Sequence, residues 1–330
     1  ILALDILRGF TIAGMILVNN PGSWAHIYAP LRHAEWNGLT PTDLVFPFFM
    51  FIMGISTYIS LKKYHFEFSQ AAALKILKRT IVIFLIGMAI GWFSRFCRYW
   101  VSAPEDLSFF DNLWASVWTF DRMRILGVMQ RLALCYGTAS IIALTMKHKH
   151  IPYLIVSLLV GYFILLMCGN GFAYNETNIL SVVDRAILTP THMYKDNGID
   201  PEGLLSTIPS IAHVLLGFYV GKLMLDGNKS EDRMSFLNSQ ITTLFLVGTI
   251  LTFTGFLLSY GCPINKKIWS PTFVLTTCGL ASSFLALLIW IIDVKGKKKW
   301  SLFFEAFGVN PLFMYVQGGV LSILFGTIRF

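Results

Sequence analysis

Residues 32–54, RHAEWNGLTPTDLVFPFFMFIMG, open with polar and charged side chains and then turn into nearly pure hydrocarbon. His33 is the group best suited to chemistry there. A free imidazole titrates near about 6.5, so it can take a proton from an amine or thiol and return one at neutral pH. If residues 33–37 are helical, Trp36 and Asn37 share its face, and a base, a ring and an amide form one pocket wall. Asp43 closes TPTD, in which Thr40 reads as an N-cap, Pro41 as the first helical residue and Asp43 as the capping-box carboxylate. The same carboxylate can orient and charge a neighbouring base. Capping alone accounts for TPTD, and a lone loop histidine is usually a structural hydrogen-bonder, so both readings stand together.

Further polar residues sit where apolar ones are expected. Asn19 and Asn20 end an apolar run in ILVNNPG. They are ordinary helix-end punctuation, or amides able to donate to a developing oxyanion. Arg124 and Arg131, in RMRILGVMQRLALCYG, are spaced to share one helix face, with Gln130 beside them. An arginine inside the hydrocarbon costs at least about 2.5 kcal/mol and so faces the protein interior or water. It is either a buried packing pair or an anion clamp, because a guanidinium fork suits phosphate. Asp5 and Arg8 are spaced to pair near the start of the first apolar run. Asn310-Pro311 should break the last one, which suggests a kink lining a cavity.

The elements that must position these groups are membrane helices. Of 330 residues, 55% are hydrophobic and 13% charged, and the mean hydropathy is +0.64. Long apolar runs recur along the chain, so we expect an all-α polytopic bundle in a lipid bilayer, folded as one domain. The net charge of +8 comes from short basic clusters between apolar runs; these are topology signals, and a nucleic-acid partner is excluded. Nine spans are expected, near 3–20, 43–61, 77–96, 124–146, 151–168, 204–225, 241–260, 272–293 and 307–328.

Lys and Arg concentrate in the connections 62–79, 147–150, 222–240 (Lys222, Lys229, Arg233) and 294–300. That assigns those connections to the cytoplasmic side. The connections carrying His33, Glu105, Asp106 and Asp111, and Glu176 through Glu202, fall on the other side. Cys97, Cys168 and Cys262 read as free thiols in preference to a disulfide, and no cysteine spacing suggests a metal. Asn175-Glu176-Thr177 is a glycosylation sequon and weak on its own. The first residue is Ile and the last, Phe330, follows an apolar run, so both ends read as cut. The first apolar run reads as a span, and no cleavable signal is visible.

HAEWNGLTPTDLVFPFFMFIMG resembles the segment that marks the heparan-α-glucosaminide N-acetyltransferase family. RILGVMQRL (124–132), VVDRAILTPTHMYK (182–195), DPEGLLSTIPSIAHVLLGFYVGKLM (200–224) and NKKIWSPTFVLTTCGL (265–280) running to IDVKG (292–296) are similar to stretches of the same family in the same order. The resemblance implies about eleven spans, each needing roughly 20 apolar residues, so one or two are expected past Phe330. It implies transfer of an acetyl group from cytoplasmic acetyl-CoA to a glucosamine-type amine on the far side of the membrane.

The family's essential histidine falls on His33, its paired asparagine on Asn19 (with Asn20 as second candidate), and its aspartate on Asp43. Arg8, Arg124, Gln130, Arg131 and Asn310 are then candidates for acetyl-CoA, and Trp36, Asn37 and Trp269 for the amino sugar. No metal is called for. His33 would act as general base or as an acetyl-imidazole intermediate. The chain lacks the large lumenal N-terminal domain of the animal enzyme, which implies a bacterial member in the inner membrane with the His33 connection on the periplasmic side. A homodimer is left open. The alternative is a permease for amino sugars or small anions, which buried Arg and Asn among many spans would also suit.

Overall fold

The computed structural model describes residues 2–23, 25–104, 106–194, 196–226 and 232–327. Glu105 and Lys229, two of the charges used for orientation, and Phe330 lie outside them. Among the described residues the regular elements are all helical: α1 (Leu2–Asn19), α2 (Pro41–Lys62), α3 (Gln70–Ser102), α4 (Phe109–Val117), α5 (Val128–Thr145), α6 (Ile151–Cys168), α7 (Ile179–Leu188), α8 (Thr207–Asp226), α9 (Arg233–Leu258), α10 (Pro271–Ile289), α11 (Leu302–Val309) and α12 (Pro311–Thr327).

Seven of these are long and apolar enough to cross a membrane: α1, α2, α5, α6, α8, α9 and α10. The expected nine are not reached, for two reasons. The run 307–328 is broken between α11 and α12 by a bend of 78°, and the pair makes at most one further crossing. Pro311 has no N–H to continue the ladder and disfavours helix at Asn310 before it. The run 77–96 lies inside α3, a 33-residue helix with Lys75, Lys78 and Arg79 at one end and Arg95 and Arg98 at the other, and α3 is not among the seven. At about 1.5 Å per residue α3 is roughly 50 Å long, more than a hydrocarbon core of about 30 Å. It packs against α5, α12 and α4. Near its end Arg95 donates to the carbonyl of Thr119 at 2.9 Å and of Arg122 at 3.2 Å.

The helix ends beside the Lys-rich connections come together: Lys62 of α2 bonds Asp226 of α8 at 2.9 Å, and His148, after α5, packs on Tyr58 of α2. The connections 20–40, 169–206 and 259–270 meet at the other end. α8 is the central helix, packed against α2, α5, α6, α9 and α10, with Ala212, Val214, Leu215 and Phe218 fully buried. Lipid gives apolar helices no reason to prefer one another, so close backbone approach holds such bundles. A side chain at Gly54 of α2 would overlap the Val214 carbonyl of α8, and one at Gly217 the Phe51 carbonyl of α2. His213 of α8 donates from Nε2 to the Pro47 carbonyl of α2 at 2.9 Å. Gly9 of α1 and Gly308 of α11 form a second such contact, each against the other helix's backbone.

Candidate active site

The expected helix at 33–37 is absent. Residues 35–38 are bends, so Trp36 and Asn37 do not share a helical face with His33. Cross-connection bonds hold the segment instead. Trp36 donates from Nε1 to the Phe172 carbonyl at 3.0 Å, and its ring stacks on Tyr174 at 4.5 Å. Asn37 Oδ1 accepts from Asn265 Nδ2 at 3.1 Å. The Gly38 N–H donates to the Ile264 carbonyl at 2.8 Å, at a φ of 126° that suits glycine.

Asp43 bonds both the helix cap and the neighbouring imidazole. It is fully buried. Oδ2 accepts from the Thr40 N–H at 3.1 Å and the Thr40 hydroxyl at 2.9 Å, closing the capping box, and from the Ala34 N–H at 3.1 Å. Oδ1 lies 2.6 Å from His33 Nδ1. With Asp43 ionised, Nδ1 donates, and Nε2 is left as the free acceptor. The His33 side chain is 47% exposed, so that nitrogen is open to a substrate.

A third group joins them that sequence reasoning missed. Lys266 Nζ lies 3.0 Å from His33 Nδ1, 3.5 Å from Nε2 and 3.5 Å from Asp43 Oδ1. Burial pushes the Lys266 ammonium below its usual range, against the pull of Asp43 and Glu202. Its neighbour Lys267 bonds the Tyr174 hydroxyl at 2.6 Å and Asp196 at 2.7 Å. Burial would lower Lys267, but Asp196 prevails and raises it. NKKIW marked this stretch as family-like, yet nothing local pairs Lys266 with a residue so distant in the chain.

The arginines stand otherwise than expected. Arg124 is not on a helix with Arg131: Gly127 is the N-cap and α5 begins at Val128. Its guanidinium is bound by both Asp200 and Glu202 and covers the Tyr194 ring at 4.8 Å, so its fork is already occupied by carboxylates. Those two carboxylates hold its pKa above the usual range in spite of burial. Burial would raise the Glu202 carboxyl, but Arg124 and Arg131 outweigh it and hold it below the usual range. Arg131 is 1% exposed, donates to the Gly203 carbonyl at 3.2 Å and to the Ser206 hydroxyl, and faces the Trp269 ring at 5.3 Å. Gln130 is buried against Gly87 of α3.

Trp269 is 1% exposed, packed between Phe46 and Phe273. It offers no open ring for a sugar, because the turn after Lys266 folds it inward. The five cysteines are free thiols.

Beside this cluster, Asp184 is buried; Oδ1 accepts from the Leu204 N–H at 2.8 Å while Oδ2 has no partner. Burial pushes its carboxyl up to about 6, against the Leu204 N–H. A folded pKa above the unfolded one means the group's stability contribution is full below about pH 4 and lost as pH rises through 6. Asp184→Asn, which keeps the acceptor for Leu204, should therefore raise thermal stability by about 1–2 kcal/mol at pH 7.5 and change little at pH 4. Melting the detergent-solubilised protein at both values checks this, and a loss at pH 7.5 would refute it.

Two cavities lie end to end between α1, α3 and α12. The first, about 430 Å³, is walled by Arg8, Ser56 and Arg79 and by Phe46, Phe49 and Met53 of α2. The second, about 270 Å³, shares Met15 and Tyr315 with the first and carries Asn19, Asn20 and Ser94. The α2 residues on the first wall run from Ser56, near the Lys-rich end, to Phe46, one helical turn from Asp43. Arg8 bonds Asp5 and Ser56, both at 2.9 Å, and the Gly308 carbonyl at 3.2 Å, as its spacing to Asp5 suggested.

Arg79 covers the Tyr136 ring at 4.7 Å and has no carboxylate partner among the described residues; sequence reasoning had used it only as a topology signal. The break at Asn310 does line the cavity, through Val309 and Pro311, whereas Asn310 itself caps α11 and is exposed. Asn19 makes no hydrogen bond to His33 among the described residues.

The family model described as "Heparan-alpha-glucosaminide N-acetyltransferase, catalytic" matches residues 1–255. The chain is 27% identical to the human protein named heparan-alpha-glucosaminide N-acetyltransferase, over 98% of this chain and 53% of that one. It is 26% identical to the mouse protein of the same name, over 98% of this chain and 54% of that one. The chain thus spans about half the length of these relatives. A model matched over most of the chain, and relatives aligned over nearly all of it, make this integral membrane protein a member of the heparan-alpha-glucosaminide N-acetyltransferase catalytic family.

Proposed function

We propose that the protein moves an acetyl group from acetyl-CoA to the amine of an amino sugar, with His33 as general base and Asp43 holding its tautomer. The observation that carries this reading is a cavity reaching from two arginines at the Lys-rich end to one turn below the buried Asp43 that bonds His33. Arg8 and Arg79 would meet the phosphates at the cytoplasmic end, since guanidinium groups suit those anions. The apolar middle would take the thin pantetheine arm. Asn19, in the second cavity, would orient the acyl end on arrival.

At the other end His33 Nε2 would take the proton from the attacking amine, and Asp43 would stabilise the imidazolium that results. Trp36 and Asn37, clamped beside His33, would border the acceptor. The positive-inside pattern supports placing this end on the non-cytosolic side, the periplasm of a bacterial inner membrane.

Reconstituted vesicles test the reading. Labelled acetyl-CoA supplied only at the Lys-rich face should acetylate glucosamine present only at the opposite face. Transport of unmodified glucosamine without acetyl-CoA, and no acetylated product with it, would replace this reading with the permease. Label retained on the protein when glucosamine is withheld would identify the acetyl-imidazole route; no retained label would identify direct transfer.

A further inference from the structure

We propose that Lys266 is a catalytic residue of the His33 centre, its ammonium holding the negative charge that builds first on the acyl oxygen and then on the departing sulfur. This rests on the acetyl-transfer reading. Asn19, the oxyanion donor that the sequence suggests, makes no bond with the centre among the described residues, whereas Lys266 Nζ is within 3.5 Å of both His33 ring nitrogens and of Asp43 Oδ1. An atom that hands a proton to Nε2 must sit about 3 Å from it, which is inside the reach of a lysine so placed.

The donors are free for that use. Nδ1 cannot give its hydrogen to Asp43 and accept one from Lys266 together, so pairing His33 with Asp43 at 2.6 Å leaves the ammonium only a long approach of 3.5 Å to Nε2. Its contact with Asp43 Oδ1 is long, at 3.5 Å.

The placement is built, not incidental. Lys266 lies in a turn locked by its own bonds. Asn265, fully buried, accepts from the Ile268 N–H at 3.1 Å, bonds the Ser270 hydroxyl through its N–H at 3.0 Å, and ties the turn to Asn37. The Trp269 N–H donates back to the Lys266 carbonyl at 3.1 Å, with Trp269 sunk in the core. The Lys266 side chain is only 18% exposed. Burying an ammonium is costly unless it is paired or used. The charged groups that face it are Asp43 of α2, Glu202 of the 189–206 connection and the adjacent Lys267.

The step balances. The amine lone pair attacks the thioester carbon, and the carbonyl π pair moves to oxygen, where the Lys266 N–H donates to it. His33 Nε2 takes the amine proton. The oxyanion then collapses, the C–S bond breaks with its electron pair on sulfur, and the imidazolium returns its proton there. The products are an amide and a free thiol.

Lys266→Gln and Lys266→Arg in the vesicle assay test this. Gln should lower kcat by roughly 10²–10³, the scale of losing one such donor, with KM for the amino sugar within about threefold. The wild-type rate should fall at alkaline pH as the Lys266 ammonium gives up its proton; Arg should retain activity within about tenfold and abolish that fall, because a guanidinium keeps its proton. A Gln variant with wild-type kcat would overturn the proposal, as would an Arg variant as slow as Gln with an unchanged pH profile, which marks a purely positional role. If Gln fails to fold, the pH profile of Arg against wild type decides alone. Wild-type protein that transfers no acetyl group would defeat the underlying reading and show before any variant is made.

Discussion

His33→Ala should bring acetyl transfer down to background, and Asp43→Asn should lower it by roughly 10³–10⁴, the scale seen when the carboxylate partner of a catalytic histidine loses its charge. The first change removes the imidazole proposed to take the amine proton. The second keeps the shape of the side chain but takes away an acceptor, so Nδ1 no longer has a fixed proton to give and Nε2 no longer stands ready as base. Asp43 also accepts three bonds from Thr40 and Ala34, so some loss of stability, about 1–3 kcal/mol for a buried donor left without its acceptor, should accompany the Asn variant. Steady-state rates with labelled acetyl-CoA, run beside thermal melts, separate the two effects. Activity within tenfold of wild type in a folded His33→Ala protein would remove this residue from the chemistry.

Arg124→Met should cost about 3–5 kcal/mol of stability, because it leaves two buried carboxylates facing each other without their cation. Asp200 is fully buried and Glu202 nearly so. Both are held by Arg124, while the Asp200 oxygens also accept the Tyr194 N–H at 2.9 Å and the Glu202 N–H at 3.0 Å. The Glu202 carboxyl is held below its ordinary value, so in the wild type its contribution is present above that value and lost as pH falls through the lowered one. In Arg124→Met the larger of the two holding charges is gone, and Arg131 remains. The defect should therefore shrink at acidic pH as the Glu202 carboxylate takes up a proton, and Arg124→Met/Glu202→Gln should recover part of it. Thermal midpoints in detergent at pH 7.5 and 5 check this. An Arg124→Met midpoint equal to wild type at pH 7.5 would show that the cluster carries no stability.

Local signals in the sequence translated well. The Thr40–Asp43 cap, the Asp5–Arg8 pair, the break at Asn310-Pro311 and most of the apolar runs depend on neighbours a few residues away, and they stand where their spacing puts them. Long-range relations were hidden. A buried arginine signals a partner but does not say which: Arg124 met two acids contributed by a distant connection, and its helix began later than expected because Gly127 is the N-cap. Trp269 looked like a candidate sugar platform because aromatic residues serve both cores and surfaces, and only a turn at positive φ decided that it points inward. Lys266 was one cation among many until folding brought it to His33.

That last contact has a bearing on biosynthesis. His33 leaves the ribosome first, and the lysine that completes its cluster with Asp43 follows 233 positions later. Bilayer insertion of α1 to α9 must be done before the three can meet. A polypeptide clipped before Lys266 would carry His33 and Asp43 without the third member of their cluster.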